Sequence, residues 1–310
     1  RRIPTSTPTT PSGRLLEGNT FPPMATGDSK TMLNPKDITE KKAKGEKISM
    51  VTAYDYAFAQ MAEAAGIDQI LVGDSLANTM LGYKTTRDVG MTEMLIFVGA
   101  VCRGAPNTHV VADMPYMSDK DPQTAYDNAR RFLDLGAASV KLEGTPQGVL
   151  EFLCGHDIPV CAHLGLLPQT AENFKQKGKT EEEARAIEQA ARFVDNLGCF
   201  ELVLEHIPEE LGTRITREVK AVTIGIGGGR YTDGQVLVMH DALGMHQKKI
   251  PPFATKFVNM FDLGVEGFKK YIDSVKNPIS GSITADSIGE LIMEKDKVDV
   301  SKTKIIIRGE

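Results

Sequence analysis

The chain has 310 residues, of which 41% are hydrophobic and 25% charged, an ordinary globular composition with length for one large α/β domain or two smaller ones. A formal net charge of -5 and the lack of an extended Lys/Arg cluster argue against nucleic-acid binding as the main purpose, and with no Trp and no apolar run near the roughly 20 residues of a membrane span, nothing supports membrane anchoring. Cys102, Cys154, Cys161 and Cys199 form no C-x-x-C pair and read as reduced, mostly buried thiols, which leaves small-molecule chemistry in a reducing compartment.

Residues 1–31 are rich in Thr, Pro, Ser and Gly and have no apolar periodicity, so they are predicted to be a disordered tail. Arg1, Arg2 and Arg14 with few acids resemble a weak organellar presequence; the expected location is cytoplasmic, or mitochondrial if the tail is one. From Pro35 the pattern turns to helix (PKDITEKKAKG), and short β-branched runs then alternate with amphipathic stretches. The predicted strands are 48–54, 69–74, 109–114, 139–144, 159–165, 200–206 and 221–227, with a weaker eighth at 236–241 (VLVMHD). Helical spacing falls between them at 57–66, 92–104, 122–136 and 180–198, several of these ending in the Gly that suits a helix C′ position. Strands that are apolar throughout and alternate with helices imply a parallel sheet covered on both sides or closed on itself. Eight such units predict a single-domain α/β protein, a (β/α)₈ TIM barrel over residues 32–277, followed by a tail of mixed character at 278–310.

A parallel barrel places its chemistry at the C-terminal strand ends, and five successive runs end in polar residues. They supply Asp74 and Ser75, Asp113, Lys141 with Glu143, His163, and Glu205. Any one of these could simply cap the next helix. Together they bring Asp74, Asp113 and Glu143 to one mouth, where three carboxylates call for a hard divalent ion such as Mg²⁺. With one His and no Cys at these ends, zinc suits the site less well. Lys141 alternates with apolar Val140 and Leu142 and so faces the barrel interior, either to meet an anionic substrate or to neutralise a carboxylate. GIGGG at 225–229 reads as a tight turn, Cys161 as a buried thiol beside a site histidine, and His240 as a rim residue.

The segments TAYDYAFA, VGDSL, RGAPN, ADMPYM, GAASVKLEG, AHLGLLPQ, LVLEHIP, IGIGGG and TDGQVLVMHDALG resemble the ketopantoate hydroxymethyltransferase family in order and approximate spacing. The resemblance implies transfer of a hydroxymethyl group from methylene-tetrahydrofolate to α-ketoisovalerate, a Mg²⁺ requirement and a homo-oligomer, usually a decamer. It implies Asp74, Asp113 and Glu143 as metal ligands. Asp74, Ser75, Asp113, Lys141 and His163 would line the substrate, and Glu205 would be the proton acceptor. The chain departs from the family in a shorter loop, NFKQKGKT, before Glu181, in a shorter stretch between Glu143 and His163, and in Ala162 where Gly is usual. Two other readings compete with the transferase: a related barrel lyase acting through the same metal-bound enolate, and an inactive barrel retained as an assembly subunit.

Overall fold

The structure, a computed structural model, describes residues 32–277; the tails predicted at 1–31 and 278–310 lie outside the described residues. The elements run α1 (Pro35–Ala43), β1 (Ile48–Thr52), α2 (Tyr56–Ala64), β2 (Gln69–Val72), a short α3 (Leu76–Thr79) and a 3₁₀ turn at Thr86–Asp88. Next come α4 (Met91–Gly104), β3 (His109–Asp113), α5 (Pro122–Asp134), β4 (Ser139–Glu143), α6 (Gln147–Gly155) and β5 (Val160–Gly165). The chain continues through α7 (Glu181–Leu197), β6 (Glu201–Glu205), α8 (Glu209–Glu218), β7 (Val222–Ile226), β8 (Gly234–Leu237), α9 (Met239–Ala242) and α10 (Met260–Lys276). All eight strands pair in parallel and in sequence order, and β8 returns to β1, so the barrel read from the sequence is the barrel observed.

Local chemistry accounts for the helix starts. The side chains of Asn34, Asp55, Asp121 and Thr180 accept hydrogen bonds from the first-turn amides of α1, α2, α5 and α7, and α7 stops at Gly198, whose φ of 94° is left-handed. The eighth strand is corrected by the structure. The reading of 236–241 as strand overruns, because pairing ends at Leu237 and the backbone N–H of Met239 donates to Thr52 Oγ1 at 2.9 Å, turning the chain into α9. Closure also needs Gly234, since a Cβ there would lie 2.5 Å from both Ile48 O and Ile224 Cδ1.

Two units emerge along the chain. Of the described residues, 32–240 with Pro251–Thr255 form the first, which holds the barrel. Asp241–Ile250 and 256–277 form the second, where Phe257, Met260 and Phe261 donate backbone bonds to Ala242, Leu243 and Gly244 and so lead into α10. Among the described residues no helix is long and apolar enough to cross a membrane.

Inside the barrel, strand alternation stacks the inward residues in three storeys. The middle one is apolar, with Met50, Leu71, Val111, Cys161, Val203, Ile224 and Val236 packed together. At the strand-start end lie buried polar groups: Gln69 Nε2 donates to Glu201 Oε2 at 3.1 Å, and His109 Nε2 lies 2.9 Å from Ser139 Oγ. Helix α1 covers this end, with Ile38 fully buried in the same cluster and Lys42 Nζ donating to the carbonyls of Thr216, Val219 and Ala221.

Glu201 is wholly buried, and burial lifts its carboxyl from 4.5 to about 8 against the smaller effects of hydrogen bonds to Gln69 and Cys161. The folded state therefore holds a proton that the unfolded chain releases. Its contribution is most favourable below the unfolded value and is lost as pH rises through about 8. Glu201→Gln removes this linkage, so its melting temperature should exceed that of the unaltered chain increasingly between about pH 5 and pH 8, by an amount worth roughly 3 kcal/mol near neutrality. Parallel stability curves for the two proteins across that range would show Glu201 to be ionised in the fold.

Candidate active site

The third storey, at the strand ends, carries the charges. Asp113 ends β3, Lys141 and Glu143 lie on β4, His163 on β5 and Glu205 ends β6, while Asp74 and Ser75 follow β2 directly. Lys141 Nζ stands 2.7 Å from Asp113 Oδ1, with both side chains almost completely buried, and the backbone N–H of Asp74 donates to Asp113 Oδ2 at 3.1 Å. His163 lies between two carboxylates, Nδ1 being 3.6 Å from Glu143 Oε1 and Nε2 3.1 Å from Glu205 Oε2. Of the two roles the sequence left open for Lys141, neutralising a carboxylate is the one seen.

Sequence reasoning missed the residue that joins these two groups. Gln169, in the loop after β5, donates through Nε2 to Asp74 Oδ2 and to the Met114 carbonyl, both at 2.9 Å, and its backbone N–H donates to Glu143 Oε2 at 3.0 Å. An unbroken polar path therefore runs from Lys141 through Asp113, Asp74, Gln169, Glu143 and His163 to Glu205. Arg87 fixes the loop by donating to the Gln169 carbonyl at 2.5 Å, its guanidinium lying 5.3 Å from the centre of the Tyr116 ring. The only sequence signal was position, since Gln169 follows a strand-end run by four residues and its Pro168 neighbour marks a loop. Ser75 bonds elsewhere, its Oγ lying 2.8 Å from the hydroxyl of buried Tyr54, which packs against the ring of His240 at 5.6 Å. Burial holds the Tyr54 hydroxyl at about 12, so it stays protonated and can donate to Ser75.

Backbone geometry sharpens the mouth. Gly165 adopts φ 98°, and a Cβ there would collide with the Glu205 carbonyl and Ile207, so only glycine lets β5 end against β6. His206, immediately after Glu205, is held at φ 47°, a conformation costly for a non-glycine residue and concentrated at functional sites.

The electrostatics follow from burial and partners. Burial raises the Asp74 carboxyl and the charge of Asp113 adds to it, against the pull of Lys141, giving about 7. Burial likewise lifts Asp113, and its pairing with Lys141 only partly offsets this. Burial opposes the Lys141 charge, but Asp113, Glu143 and Asp74 together hold that ammonium well above the usual lysine value. Glu143 goes the other way: burial opposes its charge, but the adjacent His163, the Lys141 ammonium and the Gln169 amide together outweigh it and keep the carboxyl below the usual range. Asp119, a further acid the sequence did not flag, is raised chiefly by burial and also by the charges of Asp113 and Glu143.

Two carboxyls that burial raises, Asp74 and Asp113, beside an ionised Glu143 are oxygen donors whose chemistry suits a hard divalent cation. As they stand, these carboxylates are engaged by Lys141, Gln169 and His163, and among the described residues no three of His, Cys, Asp and Glu are disposed to hold a metal together.

The profile of the ketopantoate hydroxymethyltransferase family matches residues 32–279. The chain is 46% identical over 251 residues to the 3-methyl-2-oxobutanoate hydroxymethyltransferase of Kosmotoga olearia, covering 79% of this chain and 94% of that one. It is 43% identical over 248 residues to the same-named protein of Ignicoccus hospitalis, covering 78% and 94%. Among solved structures, phosphonopyruvate hydrolase in complex with oxalate and Mg²⁺ aligns with a TM-score of 0.54 at 10% identity, over 84% of this chain and 96% of that one. The 2,3-dimethylmalate lyase of the PEP mutase/isocitrate lyase superfamily aligns at 0.51 and 13%, over 85% and 96%. At these identities the structural likeness extends to the fold alone.

His163 offers a direct test of the polar path. Burial and the Lys141 charge both oppose its protonation, yet the flanking carboxylates of Glu143 and Glu205 prevail and lift it to about 9. The stability this supplies is complete below 6.5 and fades as pH rises through about 9. In chelator-treated protein, ¹⁵N NMR should show an imidazolium persisting to about pH 9, and Glu205→Gln should lower the midpoint. A neutral ring at pH 7 would show that the two carboxylates do not share it.

Proposed function

The chain belongs to the ketopantoate hydroxymethyltransferase family and is an enzyme of that family, and from this premise we propose that it moves a one-carbon unit from methylene-tetrahydrofolate to α-ketoisovalerate, forming ketopantoate. The observation that carries the reading is the buried polar path from Lys141 to Glu205, which places a cation, a set of acids and a base around one mouth.

In this reading Asp74, Asp113 and Glu143 would hold Mg²⁺, which when bound would supply Lewis-acid polarisation of the 2-oxo group and so acidify the neighbouring C3–H. Lys141 and Ser75 receive the substrate carboxylate, Lys141 by exchanging part of its pairing with Asp113 for a second anion, and Ser75 with its hydroxyl oriented by Tyr54. His163 sits beside the same substrate and holds the Glu205 carboxylate through Nε2. Glu205 would take the C3 proton, and the resulting carbon nucleophile would bond to the donor's one-carbon unit as that carbon's two C–N bonds break. Water would supply the hydroxyl oxygen and the two protons that leave on tetrahydrofolate, while the proton on Glu205 passes to the new hydroxyl. The loop between Gly165 and Glu181, anchored by Gln169 and Arg87, borders the mouth and in this reading would meet the folate donor. Self-association belongs to the same reading, supported by α10, which exposes Leu263, Phe268, Tyr271 and Val275 as an apolar surface that another copy would cover.

Asp74→Asn tests the metal assignment without stranding a buried cation, which Asp113→Ala would do to Lys141. Its affinity for Mg²⁺ in titration calorimetry should fall by about tenfold or more with the fold intact. Unaltered affinity would remove Asp74 from the ligand set.

Glu205→Gln separates binding from proton abstraction. The variant should keep its affinity for Mg²⁺ and α-ketoisovalerate, while exchange of the substrate C3 hydrogen with deuterated solvent slows by about 10² to 10⁴, the usual worth of a positioned base. If Glu205 only anchors His163, the variant should melt at a lower temperature yet exchange at the unaltered rate.

A further inference from the structure

The four cysteines are not equivalent. Cys102 and Cys161 are buried, and burial pushes the Cys102 thiol up to about 11 and that of Cys161 well above its usual value. Cys154 and Cys199 lie 45 positions apart in sequence, yet their sulfurs are 3.9 Å apart, in contact. Cys154 sits in the last turn of α6 and is part-exposed, whereas Cys199, between α7 and β6, is only 3% exposed. An accessible thiol backed by a buried one matches the usual arrangement of attacking and resolving cysteines. The contact between them lowers the Cys154 thiol from its usual value and, with burial, raises that of Cys199, so Cys154 is the one that supplies the attacking thiolate.

We propose that Cys154 and Cys199 form a reversible disulfide with a small-molecule disulfide as oxidant, a redox-responsive staple at the strand-start end of the barrel. The Cys154 thiolate attacks one sulfur of the oxidant, whose S–S bond breaks and releases one small thiolate, leaving a mixed disulfide on Cys154. Cys199 then gives up its proton and attacks the Cys154 sulfur, displacing the second small thiolate. The two protons lost by the cysteines end on the two small thiols, so one disulfide is reduced as one is formed. A shift of about 2 Å closes the sulfurs to bonding distance, within reach of side-chain rotation at Cys154 on the part-exposed helix end.

The position determines what the staple does. Cys199 precedes Glu205 by six residues, about 20 Å of extended strand, so the bond forms far from the mouth. It joins the two ends of the segment that carries β5, with His163, and the Gln169 loop and α7. Closing that segment should hold it against local opening while leaving the site's own contacts untouched.

The test is incubation of the full-length protein with oxidised glutathione at neutral pH, followed by mass spectrometry under non-reducing conditions. The unaltered chain should lose two hydrogens in mass, yield one linked peptide pair containing Cys154 and Cys199, and return to four free thiols with dithiothreitol. Cys199→Ser should instead accumulate a single glutathionyl adduct on Cys154, and Cys154→Ser should show neither product. The oxidised protein should melt several degrees above the reduced one. Four free thiols, or a lasting glutathionyl adduct on Cys154 in the unaltered and still folded chain, would overturn the proposal, as would a linked pair involving Cys102 or Cys161.

Discussion

The ion pair between Lys141 and Asp113, 2.7 Å long and shut away from water, is the constraint on which the rest of the mouth depends. An isolated buried ammonium or carboxylate is expensive to desolvate, so each charge at the strand ends has to find a partner. Lys141 alone cannot satisfy Asp113, Asp74 and Glu143. The remaining negative charge is met by a protonated His163 and by the amide groups of Gln169, and what stays unmet shows as the raised Asp74 carboxyl. Under the proposed function, that unmet charge is the physical reason why a divalent ion and an anionic substrate would belong there together.

The barrel makes such a cluster tolerable by separating it from the other buried polar groups. An apolar storey that includes Met50, Leu71, Val111, Val203 and Ile224 stands between the mouth and the Gln69–Glu201 pair at the strand starts. The two polar ends then solve the same desolvation problem differently. At the mouth, charges are kept and paired, which leaves them available to ligands. At the strand starts, Glu201 keeps its proton and His109, which burial lowers to about 4, stays neutral, so that end serves structure.

Loops complete what the strands begin. Gln169 spans two carboxylates because its side chain and its own backbone amide point to different acids, and Arg87 and Tyr116 hold that loop from outside. Supporting contacts of this kind orient ligating and catalytic groups that strand geometry places only approximately. The barrels of phosphonopyruvate hydrolase and 2,3-dimethylmalate lyase share the scaffold at 10% and 13% identity, which is a statement about the fold. What distinguishes this chain lies in the residues at its strand ends and in the loops above them.

The sequence by itself determined the strand count, the barrel and the identity of the strand-end residues. Apolar runs of β-branched residues alternating with helical spacing have few other compact solutions, and a polar residue ending such a run lies at the rim where chemistry is placed. The order of Asp74, Asp113, Lys141, Glu143, His163 and Glu205 along the chain was legible for that reason. Tertiary structure alone decided how these residues share their charges. Lys141 pairs with Asp113, and His163 lies between Glu143 and Glu205, because of register between neighbouring strands, and register leaves no mark within any one run. The end of β8 was set by a hydrogen bond from Met239 to Thr52, across 187 positions. The roles of Gln169 and Tyr54 and the meeting of Cys154 with Cys199 likewise rest on contacts between distant segments, for which a linear pattern carries no periodic signal.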